Sequence, residues 1–141
     1  MVFEVLGKPQ GKARPRFTKS GHTYTPKETA EYEKLVKKSY QMRYGTDKLV
    51  GEIEATIIAV YPIPKSASKK KRADMEDNVI KPTVKPDCDN IAKAVLDALN
   101  KVAYDDDSQI VSLTVKKVYG DTPRVIVQLD EIAPPMFCNL P

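Results

Sequence analysis

The sequence predicts a single α+β domain with a mixed or antiparallel sheet. Three observations carry this. Glu52–Tyr61 is β-branched and largely apolar, as a buried strand is; two other stretches repeat apolar residues at helical spacing. Two further alternating segments follow one another near the end, so strands and helices do not alternate regularly. With 141 residues the chain can bury roughly 68–70% of the surface its unfolded form exposes, enough for one ordinary core.

Val2–Leu6 alternates weakly and reads as a first strand, followed by a turn-rich basic loop from Gly7 to Tyr24. A helix over 27–43 comes next. Thr25 is its candidate N-cap, Pro26 suits the first helical position, and Glu28 completes a capping box. Tyr32, Leu35, Val36 and Tyr40 give it an apolar stripe, with the two tyrosines read as core. After the strand, Ser68–Asp77 has the pattern of a short helix that is basic and then acidic, within a segment broken by Pro82 and Pro86. Asp89 is the expected cap of a helix over 90–102, whose stripe is Ile91, Val95, Ala98, Leu99 and Val102. Gln109–Val118 and Arg124–Leu129, joined through Gly120-Asp121-Thr122-Pro123, are predicted to pair as a hairpin. The order is therefore β-α-β-(basic loop)-α-β-β over residues 1–131, with a Pro-rich tail over 132–141.

Composition excludes several classes. No apolar run approaches the roughly 20 residues that cross a bilayer, so no membrane role is expected, and the short start Met1–Leu6 does not read as a signal peptide. Cys88 and Cys138 lack a CxxC partner and suit neither a disulfide framework nor structural zinc, which points to the cytoplasm. Cys88 reads as a packing residue and His22 as a loop residue. The net charge of +4 conceals an asymmetry. Lys8, Lys12, Arg14, Arg16 and Lys19 lie in an acid-free loop, and Lys65, Lys69, Lys70, Lys71 and Arg72 in another. Against them stands an acidic concentration at Asp87, Asp89, Asp97 and Asp105–Asp107. Basic regions around an acidic focus suit a polyanion held over cations.

The acids have a definite pattern. Asp87 and Asp89 alternate at the end of an extended approach and stand where the second helix begins. If the strands return against that helix, Asp106 and Asp107 come back beside its start. Carboxylates gathered there without histidine or paired cysteine are hard oxygen ligands, which select Mg²⁺, with Mn²⁺ as a substitute, over zinc or copper. Lys93 lies one helical turn beyond Asp89 and reaches the same place; the bland alternative makes it an i,i+4 partner of Asp97. The glycine and final glutamate of a calcium-binding EF-hand are missing.

Lys85-Pro86-Asp87-Cys88-Asp89-Asn90 with Lys93, Asp97-Ala98-Leu99-Asn100 and Asp106-Asp107-Ser108-Gln109-Ile110 resemble the signature of the RusA family of Holliday junction resolvases. Upstream, Gly7-Lys8-Pro9, Arg14-Pro15-Arg16-Phe17 and Tyr24-Thr25-Pro26 are similar to the start of its phage and prophage members. The likeness spans residue 3 to about 130. It implies a homodimeric crossover junction endodeoxyribonuclease that binds branched DNA, the four-way junction, and makes paired symmetric nicks with Mg²⁺ in recombination and repair. By the same likeness Asp87, Asp89 and Asp107 are the catalytic, metal-binding carboxylates, Asp106 is a further candidate ligand, and Lys93 is the essential lysine. The tail matches nothing in the family pattern.

Phosphodiester hydrolysis fits such a site, because a bound metal lowers the pKa of water and offsets charge on the phosphate. Lys12, Arg14, Arg16, Lys19, Lys69, Lys70, Lys71 and Arg72 are the expected DNA contacts. Rival readings are a nuclease for flaps, forks or duplexes, a ribonuclease, and a DNA-binding module whose acids are only structural.

Overall fold

The computed structural model describes residues 1–14, 16–24 and 26–132, and of Arg16 the backbone only. Strand β1 (Val2–Leu6) opens the chain, and the basic loop after it folds back on itself through two short strands, β2 (Arg16–Phe17) and β3 (Thr23–Tyr24). Helix α1 (Lys27–Tyr44), strand β4 (Ile53–Pro62), helix α2 (Lys69–Glu76) and helix α3 (Cys88–Leu99) follow. Strands β5 (Ile110–Gly120) and β6 (Arg124–Glu131) end the described fold, where the Ile132 amide donates to the Glu52 carbonyl.

This is the expected α+β domain, and the sheet is mixed. Its order is β1-β6-β4-β5, with β4 parallel to β5 and antiparallel to β6, and β6 antiparallel to β1. The predicted hairpin of β5 with β6 is thereby corrected, since β4 lies between them. The turn signal at 120–123 was a signal for reversal, which does not fix adjacency. Burial decides the order: Ile53, Ala55, Ile57 and Ala59 of β4 are fully buried, and only a central strand gives so apolar a segment neighbours on both sides. Three residues, Asp121–Pro123, arch over the end of β4. They have to span two strand spacings, about 9.6 Å, which four Cα steps cover. The arch passes so close that a Cβ on Gly120 would stand 2.7 Å from Val60 Cγ1.

Helices α1 and α3 pack against each other on one side of the sheet. Tyr32, Val36 and Tyr40 of α1 and Ile91, Val95, Ala98 and Leu99 of α3 meet Phe3, Val5, Val125, Val127 and Leu129 there, in one contiguous core. The opposite side of the sheet carries Glu4, Ser112, Thr114, Lys116 and Gln128, all exposed. Among the described residues no helix is long and apolar enough to cross a membrane.

Helix boundaries moved for local reasons. Pro26 occupies the N-cap of α1 without a side-chain bond, and the expected cap Thr25 lies outside the described residues. Ser68 caps α2 by accepting the Lys71 amide at 3.3 Å. In α3 the cap is Asp87 rather than Asp89: the helix starts immediately after the Pro86-Asp87 step, and Asp89 falls in the first turn, where its charge suits the helix dipole. The same helix stops at Leu99, because Asn100 turns extended and Lys101 takes φ 68°. Val102 therefore leaves the helix. Residues 133–141 of the predicted tail lie outside the described residues.

Candidate active site

Helix α3 carries Asp89, Lys93 and Asp97, with Asp87 as its cap. At its N-terminal end Asp87 and Asp89 are exposed, and Lys93 is exposed one turn further along the face that carries Asp89. Pro86 is held from below, since the Tyr61 hydroxyl at the end of β4 donates to the Pro86 carbonyl at 2.9 Å. Burial, followed by the nearby charges of Cys88 and Asp87, pushes the Tyr61 phenol up to about 12, so it remains a donor at neutral pH. Cys88 itself is exposed at the first position of α3, which corrects its reading as a packing residue.

The basic loop docks beside this end. Asn90 Oδ1 accepts the Lys12 amide at 3.1 Å, and Gly11 lies so close that a Cβ there would stand 2.8 Å from Asn90 Cγ. A shallow cleft results, lined by Gly11, Lys12, Ala13, Lys85, Asp87 and Asn90. Lys12 was expected among the DNA contacts, but its ammonium lies 2.7 Å from Asp97 Oδ2 and 3.4 Å from Glu33 Oε1. Partial burial opposes its charge, yet the hydrogen bond and charge of Asp97, joined by Glu33, outweigh it and raise the Lys12 pKa. Asp97 thus belongs to Lys12 and not to Lys93, which makes no ion pair among the described residues. Of the other basic candidates, Arg14, Lys19, Lys69, Lys70 and Lys71 are exposed. Arg72 donates to the Pro64 carbonyl at 3.2 Å.

Asp106 and Asp107 are elsewhere. The Asp107 amide donates to Asn100 Oδ1 at 3.2 Å, at the C-terminal end of α3. Tyr104, fully buried, fixes the loop there through its hydroxyl on the Leu96 carbonyl at 2.6 Å. Gln109 Oε1 then accepts the amides of Asp105 and Asp106 at 3.0 and 3.1 Å, and Lys48 pairs with Asp105 at 3.0 Å. A hydrogen bond from Ser108 chiefly, helped by Lys101 and by backbone amides against slight desolvation, holds the Asp106 carboxyl below its ordinary range. The expected return of these acids to the start of α3 is therefore corrected. A helix of this length is about 18 Å long, and β5 begins at its far end. What β5 brings back to the start of α3 is its own C-terminal end, Lys117 to Tyr119.

Within one chain, accordingly, no group of three acids, histidines or cysteines among the described residues is placed to hold a metal ion. At the start of α3 Asp87 and Asp89 stand two residues apart. That donor set still suits Mg²⁺, which usually takes one or two carboxylates and completes its shell with water and phosphate oxygens.

The sequence pattern missed Tyr61, Glu33 and the structural use of Asp97. A single tyrosine at a strand end carries no signal, whereas Gly11-Lys12 beside Asn90 and Asp97 was visible only as part of the basic loop.

Exposed aspartates and a lysine thus stand at one helix end, beside an acid-free basic loop. A family model described as endodeoxyribonuclease RusA matches residues 7–130. The chain belongs to the RusA family, and its class of reaction is the hydrolysis of DNA within a strand. It is 36% identical over 136 residues to the protein YqaN of Bacillus subtilis (strain 168), described as uncharacterized, covering 93% of this chain and 96% of that one. Over 51 residues it is 41% identical to the crossover junction endodeoxyribonuclease rusA of Lactococcus phage r1t, covering 36% of this chain and 39% of the phage protein.

Proposed function

We propose that the chain is an Mg²⁺-dependent endodeoxyribonuclease that resolves four-way DNA junctions as a homodimer, by paired symmetric nicks, in recombination and repair. One observation carries this reading: Asp87, Asp89 and Lys93 are exposed together at one end of α3, free of ion pairs among the described residues, beside the loop that holds Arg14 and Lys19. Family membership and the partial match to the phage enzyme support the choice of DNA and of branched substrate.

In this reading Asp87 and Asp89 hold the cation, with Mn²⁺ able to replace it. When bound, the cation makes water a stronger acid and offsets charge on the phosphate. Lys93 presents an ammonium to the same phosphate as negative charge grows on its oxygens. Arg14, Arg16, Lys19 and the Lys69–Arg72 run supply affinity through phosphate contacts that release counterions. Asp107 stands about one helix length away, so it joins the site only if a second copy brings it. A two-fold dimer does this twice, and gives two sites for two strands.

The test is incubation with an end-labelled synthetic four-way junction, and in parallel with a flap, a fork and a plain duplex, with and without Mg²⁺. Symmetric nicks in opposite strands of the junction, only with the metal, are expected. Preferential cutting of the flap or fork would assign a different nuclease. Tight junction binding with no cutting in Mg²⁺ or Mn²⁺ would leave a DNA-binding module.

A further inference from the structure

Next to Asp87 lies a second, different cavity. Its volume is about 240 Å³, and it opens between the end of β4, the end of β5 and the segment before Pro86. Tyr61 and Tyr119 supply aromatic surface, Pro64 and Val84 form walls, and Lys8 and Lys85 stand at the rim; none of the residues that line it is acidic. It is smaller than the roughly 300–1,000 Å³ of sites for drug-sized ligands, a size suited to one flat ring system. Lys85 lines both this cavity and the cleft of Asp87 and Asn90, so the two adjoin.

The two tyrosines differ in what they offer. Lys117 lies over the Tyr61 ring with its ammonium 5.1 Å from the ring centre, and also donates to the Val84 carbonyl. One face of Tyr61 is thus taken, and its hydroxyl is spent on Pro86. Tyr119 is half-buried, and its amide donates to Asn78 Oδ1 at 3.3 Å, which fixes the strand beneath it. Its ring packs in part against the core and turns the rest of its surface to the cavity. Val84 opposite is 57% exposed, so the mouth is open. An apolar, aromatic slot with cations at its rim and no acid fits a base still attached to its phosphates.

We propose that this cavity is a nucleobase subsite, in which Tyr119 stacks the base next to the phosphate presented to Asp87 and Asp89. The inference rests on the nuclease reading and deepens it: the enzyme grips an unstacked nucleotide, not only the backbone. In the open form of a four-way junction the arms do not stack on one another at the branch point, so extruding a base there costs less than in a continuous duplex. Stacking tolerates any base, while the size of the slot favours the smaller ones. Tyr119 is here a positioning residue, since it touches the base and no reacting atom.

Photocrosslinking tests this without cleavage. A four-way junction, and a single strand of the same sequence, carry 5-iododeoxyuridine at each position around the branch in turn, and are irradiated with the protein in EDTA. One position is expected to crosslink to Tyr119 or Tyr61, as mapped by peptide mass. That yield should fall roughly tenfold in Tyr119→Leu and persist in Tyr119→Phe, which keeps the ring. Crosslinks confined to Phe17 or Tyr24 of the basic loop, or an unchanged yield in Tyr119→Leu, overturn the subsite. If Tyr119→Leu does not fold, the parental map alone decides by the same criterion. A pocket crosslink on the single strand, together with a junction left uncut in Mg²⁺, supports the subsite and sinks the resolvase reading instead.

Discussion

Asn100 Oδ1 accepts the backbone amide of Asp107 at 3.2 Å, and this bond keeps Asp107 one whole helix from Asp87. If Asp107 belongs to the proposed metal centre, the acids of that centre come from two chains. Asp87→Asn and Asp107→Asn should each be inactive alone. Mixed in equal amounts and allowed to exchange, half of the dimers carry both lesions on one side and an intact site on the other. Roughly a quarter of the parental sites should return, nicking one strand per junction. A mixture as dead as its components, with exchange confirmed by mass, would mean that the two acids act within one chain.

How the acids are distributed was only half legible. The residue types and their order were plain in the sequence, because Asp87, Asp89, Lys93 and Asp107 form a dense local pattern. Their distance was not. Periodicity places residues on a helix face, but nothing local says which end of α3 meets the next strand, and the parallel pairing of β4 with β5 settles that. Element types survived for the same reason that sheet order did not: β4 is apolar enough to announce a buried strand, while its neighbours are chosen by long-range packing. Tyr61 shows the limit most clearly, since its hold on Pro86 spans 25 residues.

The arch over β4 is testable through Gly120. Gly120→Ala should cost about 1–3 kcal/mol in urea unfolding, because the new methyl overpacks against Val60. Adding Val60→Ala should cost less than the two separate changes predict, since it vacates the contested space. Strict additivity would mean that Gly120 and Val60 are not in contact.

Lys12 should behave as a structural cation. Lys12→Met removes the partner of Asp97 and Glu33, and should lower stability by about 1–2 kcal/mol, between an exposed pair and a buried one. The sign with pH follows from its raised pKa. The contribution is fully present below the ordinary value of 10.5 and is lost only as pH climbs through the higher folded value. The gap in melting temperature between the parent and Lys12→Met should thus hold from about pH 6 to about pH 9, and close in stronger alkali. A gap that vanishes near neutrality would point to packing or to another titrating group.

Lys93 separates chemistry from positioning. Its side chain is exposed, one turn from Asp89, and Asp97, which would have neutralised it as a helix partner, is taken by Lys12 at 2.7 Å. Stability therefore gains nothing from Lys93, and Lys93→Ala should melt with the parent. At saturating enzyme, however, its single-turnover rate on a four-way junction should fall about 10²-fold, because an ammonium set where negative charge develops acts on the transition state. Arg14→Ala and Lys19→Ala should show the reverse. Both side chains are exposed in the acid-free loop, so each loss should weaken junction binding, flatten its salt dependence by about one phosphate contact, and leave the saturated rate near the parental value. Measuring affinity in EDTA and rate in Mg²⁺ keeps the two effects apart. A parental rate in Lys93→Ala would remove it from the chemistry and leave the aspartates to act alone; a slow rate with weakened binding would make it one more phosphate contact.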